Sequence, residues 1–591
     1  MASDHLDRLS RWEPLYLGLI PGALAGCLLT GLLLFLNPSL RFGAPLLIRG
    51  ALFYGFCLGV PSSIVSSLLC WRDESRARRS LPWAVTLVLA LAAVACWFHA
   101  SHYSYFLPPG INVRLIKAAL LLSAVALIFF YTALVHSARS RRYGLRSRVG
   151  LTLLALVSVY VMAERREAFE PSSGPTPLPS SIETGHPPSL LVVGIEGGSL
   201  DAILPLARQG RLPFFAKLIE EGAYGRLAGL QPVESSPLWT SLATGKMPYK
   251  HGVLGENIFS GSRLQEGAKL RIIPSGIGFR HWGLGRSGIE RVDAGLRDSM
   301  TLWEILRILG MRSGVLGWPV TFPVQEAPGF TISDRFFEEG STLESTYPPE
   351  LSERGRLFRV RPEEISPEVS GIFGLTVPFA VLESLAGDLW RESLATFVLN
   401  QNMNLDAVFL RLPGLAGVCE DYFGGYHAVQ FQGAQKQPQQ QASLLIAAYY
   451  RHLGQFIERV WEDLESPKML AVVSVHGYES AKGLRKFWRM LFGRSLQGSL
   501  HGGPDGVLML AGEGVKANGF LEGADILDVM PTLLYALGFP IARDLDGRVL
   551  TSAFSTDFLA RHPLTFVPSY ETLSIQESLY ENAVDEVRVR N

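Results

Sequence analysis

Two hydrophobic patterns divide the chain. In the first 165 residues, apolar positions form long runs: Leu15 to Leu36 and Ala51 to Trp71 carry no charge, Leu81 to His99 and Ala118 to Val135 follow, and Val149 to Ala163 makes a shorter fifth. About 20 apolar residues span a bilayer, so these runs predict about five transmembrane helices. The first run is too long for a cleavable signal peptide, and similar spans follow it at once. From residue 189 onward, short apolar runs alternate with helical periodicity. "SLLVVGI" (189–195) predicts a buried strand, with helices around 199–208 and 213–222. "MRSGVLGWP" (311–319), "DAVFLRL" (406–412) and "MLAVVSV" (469–475) predict further strands, and 443–464 a long amphipathic helix. Such alternation predicts an α/β domain with a mostly parallel sheet between helices, whose ligands gather at the carboxyl ends of the strands.

Between the two patterns, residues 164–188 hold six prolines among Ser, Gly and Thr, a composition that favours an extended tether over a core. The expected organisation is a membrane domain (1–164), a linker (165–188), the α/β domain (189–560) and a polar tail (561–591). "AQKQPQQQ" (434–441) is read as a Gln-rich loop.

Charge sets the orientation. Arg72, Arg76, Arg78 and Arg79 lie between spans two and three, and Arg139, Arg141, Arg142, Arg146 and Arg148 between spans four and five, whereas Ser101 to Asn112 is uncharged. The positive-inside rule places both Arg-rich loops and the N-terminus in the cytoplasm. Five spans then carry the large domain across, so the chain is expected to be a bacterial inner-membrane protein with a periplasmic domain; one span fewer would reverse that. Four of the five cysteines lie in the spans and only Cys419 in the large domain, which leaves that domain no internal disulfide. A formal net charge of zero gives no reason to expect a nucleic-acid partner. Membrane lipid is an expected neighbour. Gly18, Gly22 and Gly26 form a smooth stripe that packs on another span of the chain or on a partner subunit; the large domain is a second surface for such a subunit.

Several collinear segments carry a resemblance: "VVGIEGGSLDAILPLARQGRLPFFAKLIEEGAYGRL", "SSPLWTSLATGKMPYKHGV", "GWPVTFPVQEAPGFTISDRF", "VVSVHGYES", "HGGPDGVLMLAGEGVK", "ILDVMPTLLYALG" and "RDLDGRVL". Over roughly residues 189–552 the chain resembles the alkaline phosphatase superfamily, in its type I phosphodiesterase/nucleotide pyrophosphatase branch. The resemblance implies an alkaline-phosphatase-like α/β fold and a site of two divalent cations with a Thr or Ser nucleophile, in which two metals clamp the attacking and leaving oxygens. Its ligand pattern is an Asp after the first strand, the nucleophile, an Asp-x-x-x-His pair, an Asp-His pair and a late His.

Laid on this chain, the pattern puts Glu196 at the first Asp and Ser235 at the nucleophile, with Ser236 as the alternate. "SSP" is equally an ordinary helix N-cap. The Asp-x-x-x-His pair falls on Gly414 and Val418, or on Ala416 and Glu420 in a shifted register; Asp421 and His427 are nearby but wrongly spaced. The Asp-His pair falls on Val475 and His476, the late His on His501, and His251 on a position read as structural. Glu196, His476 and His501 are thus residual metal-ligand positions, and Gly414, Val418 and Val475 occupy lost ones. One carboxylate does not balance two divalent cations, and uncompensated charge in a partly buried site is costly. The expectation is a pseudoenzyme without bound cations that keeps the fold for binding or for a structural role in a membrane assembly. The alternative is an active phosphodiesterase or phosphotransferase on an envelope or lipid-linked phosphoester, using Ser235 with Zn²⁺ or another divalent cation.

Overall fold

The computed structural model describes residues 13–38, 40, 44–72, 74–139, 143–163, 187–260, 269–274, 288–365, 377–401, 404–480, 497–500 and 504–571. It contains two compact units, one of residues 1–171 with 254–292, the other of 172–253 with 293–591.

The first unit is built on α1 (Glu13–Leu36), α2 (Ala44–Arg72), α3 (Glu74–His102), α4 (Pro109–Ala138) and α5 (Leu145–Ala163). All five contain a stretch long and apolar enough to cross a membrane, including Leu145–Met162 of α5. At a rise of 1.5 Å per residue, even that shortest stretch spans about 27 Å. The Gly18/Gly22/Gly26 stripe faces α2. A Cβ on Gly18 would meet the backbone of Ser63, one on Gly22 that of Gly59, and one on Gly26 that of Gly55. Small residues therefore recur every fourth position on both helices, and the backbones approach closely. The stripe is occupied within the chain.

This unit also takes up residues 254–292. Strands β3 (Asn257–Ser260), β4 (Lys269–Leu270) and β5 (Ile289–Arg291) form a small antiparallel sheet in the order β4-β3-β5. Phe259, Leu270 and Ile273 share a buried cluster with Leu33, Leu34, Leu40, Leu46 and Tyr54 of the helical region.

The second unit is an α/β domain. Its central sheet contains β1 (Ser189–Ile195), β2 (Ala223–Ala228), β6 (Ser313–Leu316), β7 (Gly329–Ile332), β8 (Thr346–Tyr347), β9 (Ala407–Leu412), β10 (Lys468–Ser474), β13 (Gly506–Gly512) and β14 (Gly519–Asp525). Two further strands, β11 (Glu479–Ser480) and β12 (Gly498–Ser499), pair separately. The sheet order is β14-β2-β13-β10-β1-β9-β6-β7-β8, and only β13 and β8 run against the others. Near-continuous apolar runs make β1, β9 and β10 buried central strands, as expected for a parallel sheet covered on both faces.

The helices flanking this sheet include α6 (Leu200–Arg208), α7 (Pro213–Glu221), α8 (Ser235–Thr244), α9 (Pro248–His251), α10 (Leu302–Ile308), α11 (Leu351–Arg356), α12 (Phe379–Leu399), α13 (Gly414–Gln432) and α14 (Gln437–Glu462). The last differs from the sequence reading, because residues 437–441 of the Gln-rich segment are helical. Pro438 sits in the first turn of α14, where its missing N–H has no intrahelical acceptor to lose. Towards the C-terminus, β15 (Ile541–Ala542) pairs with β16 (Phe566–Val567), and Lys246 bonds both Asp544 and Glu571. The folded unit thus reaches Glu571; the rest of the predicted tail lies outside the described residues.

Candidate functional site

The sheet positions the site. β1 and its two parallel neighbours are in register, Gly194 opposite Arg411 on β9 and Val473 on β10. The chain leaves β1 at Glu196, β9 at Pro413 and β10 at Val475 and His476, so all three exits open at the carboxyl edge. Gly194 leaves room for the ring of Trp239, which a Cβ there would strike. This brings α8 close over the strand ends and sets its first residue, Ser235, beside Glu196.

Glu196 is 7% exposed and both of its carboxylate oxygens are engaged. Ser235 Oγ donates to Oε1 at 2.5 Å, and Arg411 Nη2 donates to Oε2 in a close ion pair. The same Arg411 nitrogen lies 3.2 Å from Ser235 Oγ, which ties the three side chains together. His476 Nε2 is 3.7 Å from Glu196 Oε1, too long for a direct hydrogen bond. Its Nδ1, like Nε of Arg411, is buried with no hydrogen-bond partner among the described residues. Burial pushes the Glu196 carboxyl up, but the Arg411 guanidinium, His476 and the Ser235 hydroxyl outweigh it and hold the pKa at about 2. The guanidinium also lies 5.6 Å from the centre of the Trp239 ring.

Glu196, Ser235 and His476 therefore come together. Ser235 does not cap α8: the N-cap is Glu234, with no side-chain capping bond, and the Ser235 hydroxyl is directed to Glu196 instead. Ser236 is buried one residue further along the helix. His251 bonds Ser241 Oγ at 2.9 Å and the amide of Val253, holding α8 to the turn beyond α9. His501 lies outside the described residues.

At the remaining ligand positions the packing is closed. Gly414 opens α13, and its amide donates to both carboxylate oxygens of Asp388, at 3.0 and 3.1 Å. Tyr449 donates to the same carboxylate at 2.8 Å. A Cβ on Gly414 would collide with Tyr449 Oη, Asp388 Oδ2 and the carbonyl of Ser384, so no side chain fits there. Val418 and Val475 are buried and apolar. Asp388 is fully buried, and that burial raises its pKa to about 6 against the opposing pull of Arg391, Tyr449 and the Gly414 amide. Arg391 sits 4.0 Å over the ring of Phe337; burial lowers its pKa to about 10, and the Arg411 charge adds to that lowering.

The donor set can be tested against a pair of divalent cations. Among the described residues no three His, Cys, Asp or Glu side chains cluster closely enough to hold a metal, Glu420, Asp421 and His427 included. Hard cations require several oxygen ligands, and zinc sites three or more protein donors. The described residues do not fit such a pair. Nor does Glu196 suit the role of general base, because a carboxylate with a pKa of about 2 has little affinity for the Ser235 proton.

Sequence reasoning missed Arg411, although a signal was present. An Arg inside "AVFLRL", an otherwise apolar strand, must find a buried counter-charge, and the carboxylate just beyond the neighbouring strand is the obvious partner.

No curated protein sequence matches the chain. A phosphonate monoester hydrolase from Silicibacter pomeroyi is similar at 16% identity and TM-score 0.36, over 63% of this chain and 78% of the hydrolase. Human ectonucleotide pyrophosphatase/phosphodiesterase 5 is similar at 12% identity and TM-score 0.36, over 63% of this chain and 99% of that one. Phosphonoacetate hydrolase from Sinorhizobium meliloti, with phosphonoformate bound, is similar at 14% identity and TM-score 0.29; the match spans 51% of this chain but only 59% of the hydrolase. At these values the likeness carries no detail of chemistry. The family model for type I phosphodiesterase/nucleotide pyrophosphatase matches residues 190–495, just over half of the sequence. The chain belongs to the type I phosphodiesterase/nucleotide pyrophosphatase family.

Proposed function

We propose that this is a membrane-anchored pseudoenzyme of its family, whose large domain serves a binding or structural role in a membrane assembly. One observation carries the reading: the carboxylate that would begin a metal site is closed off by Arg411 and Ser235. A guanidinium that is part of the chain supplies positive charge where the family pattern calls for bound cations. With Glu196 held ionised and paired, it is a poor base for activating the Ser235 hydroxyl. The Arg-rich segments between spans at 72–79 and 139–148 support a cytoplasmic N-terminus and an extracytoplasmic large domain in a bacterial inner membrane.

A second reading keeps activity, with Ser235 attacking an envelope or lipid-linked phosphoester in the presence of a divalent cation. It is favoured by the nucleophile position being retained at the strand edge, with Glu196 at 2.5 Å and His476 close by. Hydrolysis of an aryl phosphodiester by the purified full chain, with Zn²⁺, Mn²⁺ or Mg²⁺ added, separates the two. The pseudoenzyme reading expects no turnover above that of Ser235→Ala. Metal-dependent turnover that this substitution abolishes would establish the second.

A further inference from the structure

The large domain's sequence makes an excursion at residues 254–292, directly after α9, and that excursion folds with the membrane helices. Its strands are four, two and three residues long. A sheet that small is not stable by itself and must borrow a core. Here the core comes from the end of α1 and the start of α2, packed on Phe259, Leu270 and Ile273. The amide of Val292 donates to the carbonyl of Glu256, closing the neck where the chain enters and leaves.

Asn37, one residue past α1, is the polar counterpart of that cluster. It is 1% exposed. Its Nδ2 donates to the carbonyls of Leu33 at 3.0 Å and Ile272 at 2.6 Å. Its Oδ1 accepts from the amides of Arg271 at 2.7 Å and Ile272 at 3.1 Å. Two donor hydrogens and two acceptor lone pairs are all the side chain has. Three of the four bonds go to the excursion's backbone, much as a neighbouring strand would bond it. Such an arrangement selects one docked position, because sliding the backbone by one residue would orphan buried polar groups.

We propose that residues 254–292 form a second, noncovalent attachment of the large domain to its membrane helices, independent of the linker, with the end of α1 and the start of α2 as the docking surface. By chain order, the end of α1 and the start of α2 lie on the side of the membrane opposite the Arg-rich segments at 72–79 and 139–148, the side that the charge pattern selects for the large domain. The proposal does not depend on whether Ser235 is catalytic.

The test uses the full chain in membranes, with a site-specific protease site inserted in the linker at residues 172–176. After cleavage, the membranes are washed with high salt and sedimented. The fragment beginning near residue 177 is expected to stay in the pellet. It should move to the supernatant when the cleavable chain also carries Asn37→Ala and Phe259→Ala; each single substitution, checked uncut for normal expression and monodispersity, should release part of it. Release of the fragment by cleavage of the otherwise unaltered chain would overturn the proposal. So would retention of the doubly substituted fragment, since the domain would then be held by some other contact.

Discussion

Arg411, the next-to-last residue of β9, pairs with Glu196, the first residue beyond β1, across two adjacent parallel strands. Their side chains are 11% and 9% exposed, so neither charge is well solvated. The pair therefore depends on both partners. Arg411→Met should destabilise the protein by about 3–5 kcal/mol, as expected when one member of a buried pair is left alone. Adding Glu196→Gln should recover most of that loss, because no uncompensated charge remains. Urea unfolding of the detergent-solubilised protein, followed by tryptophan fluorescence, measures both; a double variant no more stable than the single one would show that the pair is not a coupled unit.

The same pair gives a pH dependence with a defined sign. Glu196 has a folded-state pKa of about 2 against 4.5 for an ordinary Glu, so its contribution is fully present above pH 4.5 and is lost as pH falls towards 2. At about 1.4 kcal/mol per unit, the stability that wild type gains from Glu196 shrinks by about 3 kcal/mol over that window. Unfolding midpoints of wild type and Glu196→Gln, compared from pH 6 downward, should converge. A constant gap would mean that the carboxylate is not held low.

Much of this was legible in the sequence. β1 and β10 stand out because strands buried on both faces must be apolar almost throughout, and the five membrane runs stand out because a bilayer demands length. Glu196, Ser235 and His476 could be placed together because each follows a recognisable motif. Arg411 belongs to no motif; its one signal is a charge inside an apolar strand, and the register that sets it opposite Gly194 places it beside Glu196. The excursion at 254–292 was hidden for a different reason. Its strands are too short to print a period, and its polar partner, Asn37, is distant in sequence and lies just beyond a membrane run.

The packing around Gly414 leaves no space for an acidic side chain. Gly414→Asp, alone or with Val475→Asp, should destabilise the protein and bring no metal uptake, because any Cβ at 414 collides with Tyr449, Asp388 and the Ser384 carbonyl. Overpacking of this kind typically costs about 1–3 kcal/mol, and an added buried carboxylate costs more. Thermal unfolding in the presence and absence of Zn²⁺ and Mn²⁺ measures this. A well-folded Gly414→Asp variant stabilised by either ion would mean that this strand end can still accept a ligand.

The proposed function requires that the positive charge at this site be Arg411 and not a bound metal. Elemental mass spectrometry of the purified full chain, dialysed without chelator, distinguishes the two. Zn, Mn, Mg and Ca should each be well below one equivalent per chain, with no difference between wild type and Glu196→Gln. One or two tightly held equivalents that Glu196→Gln removes would contradict it.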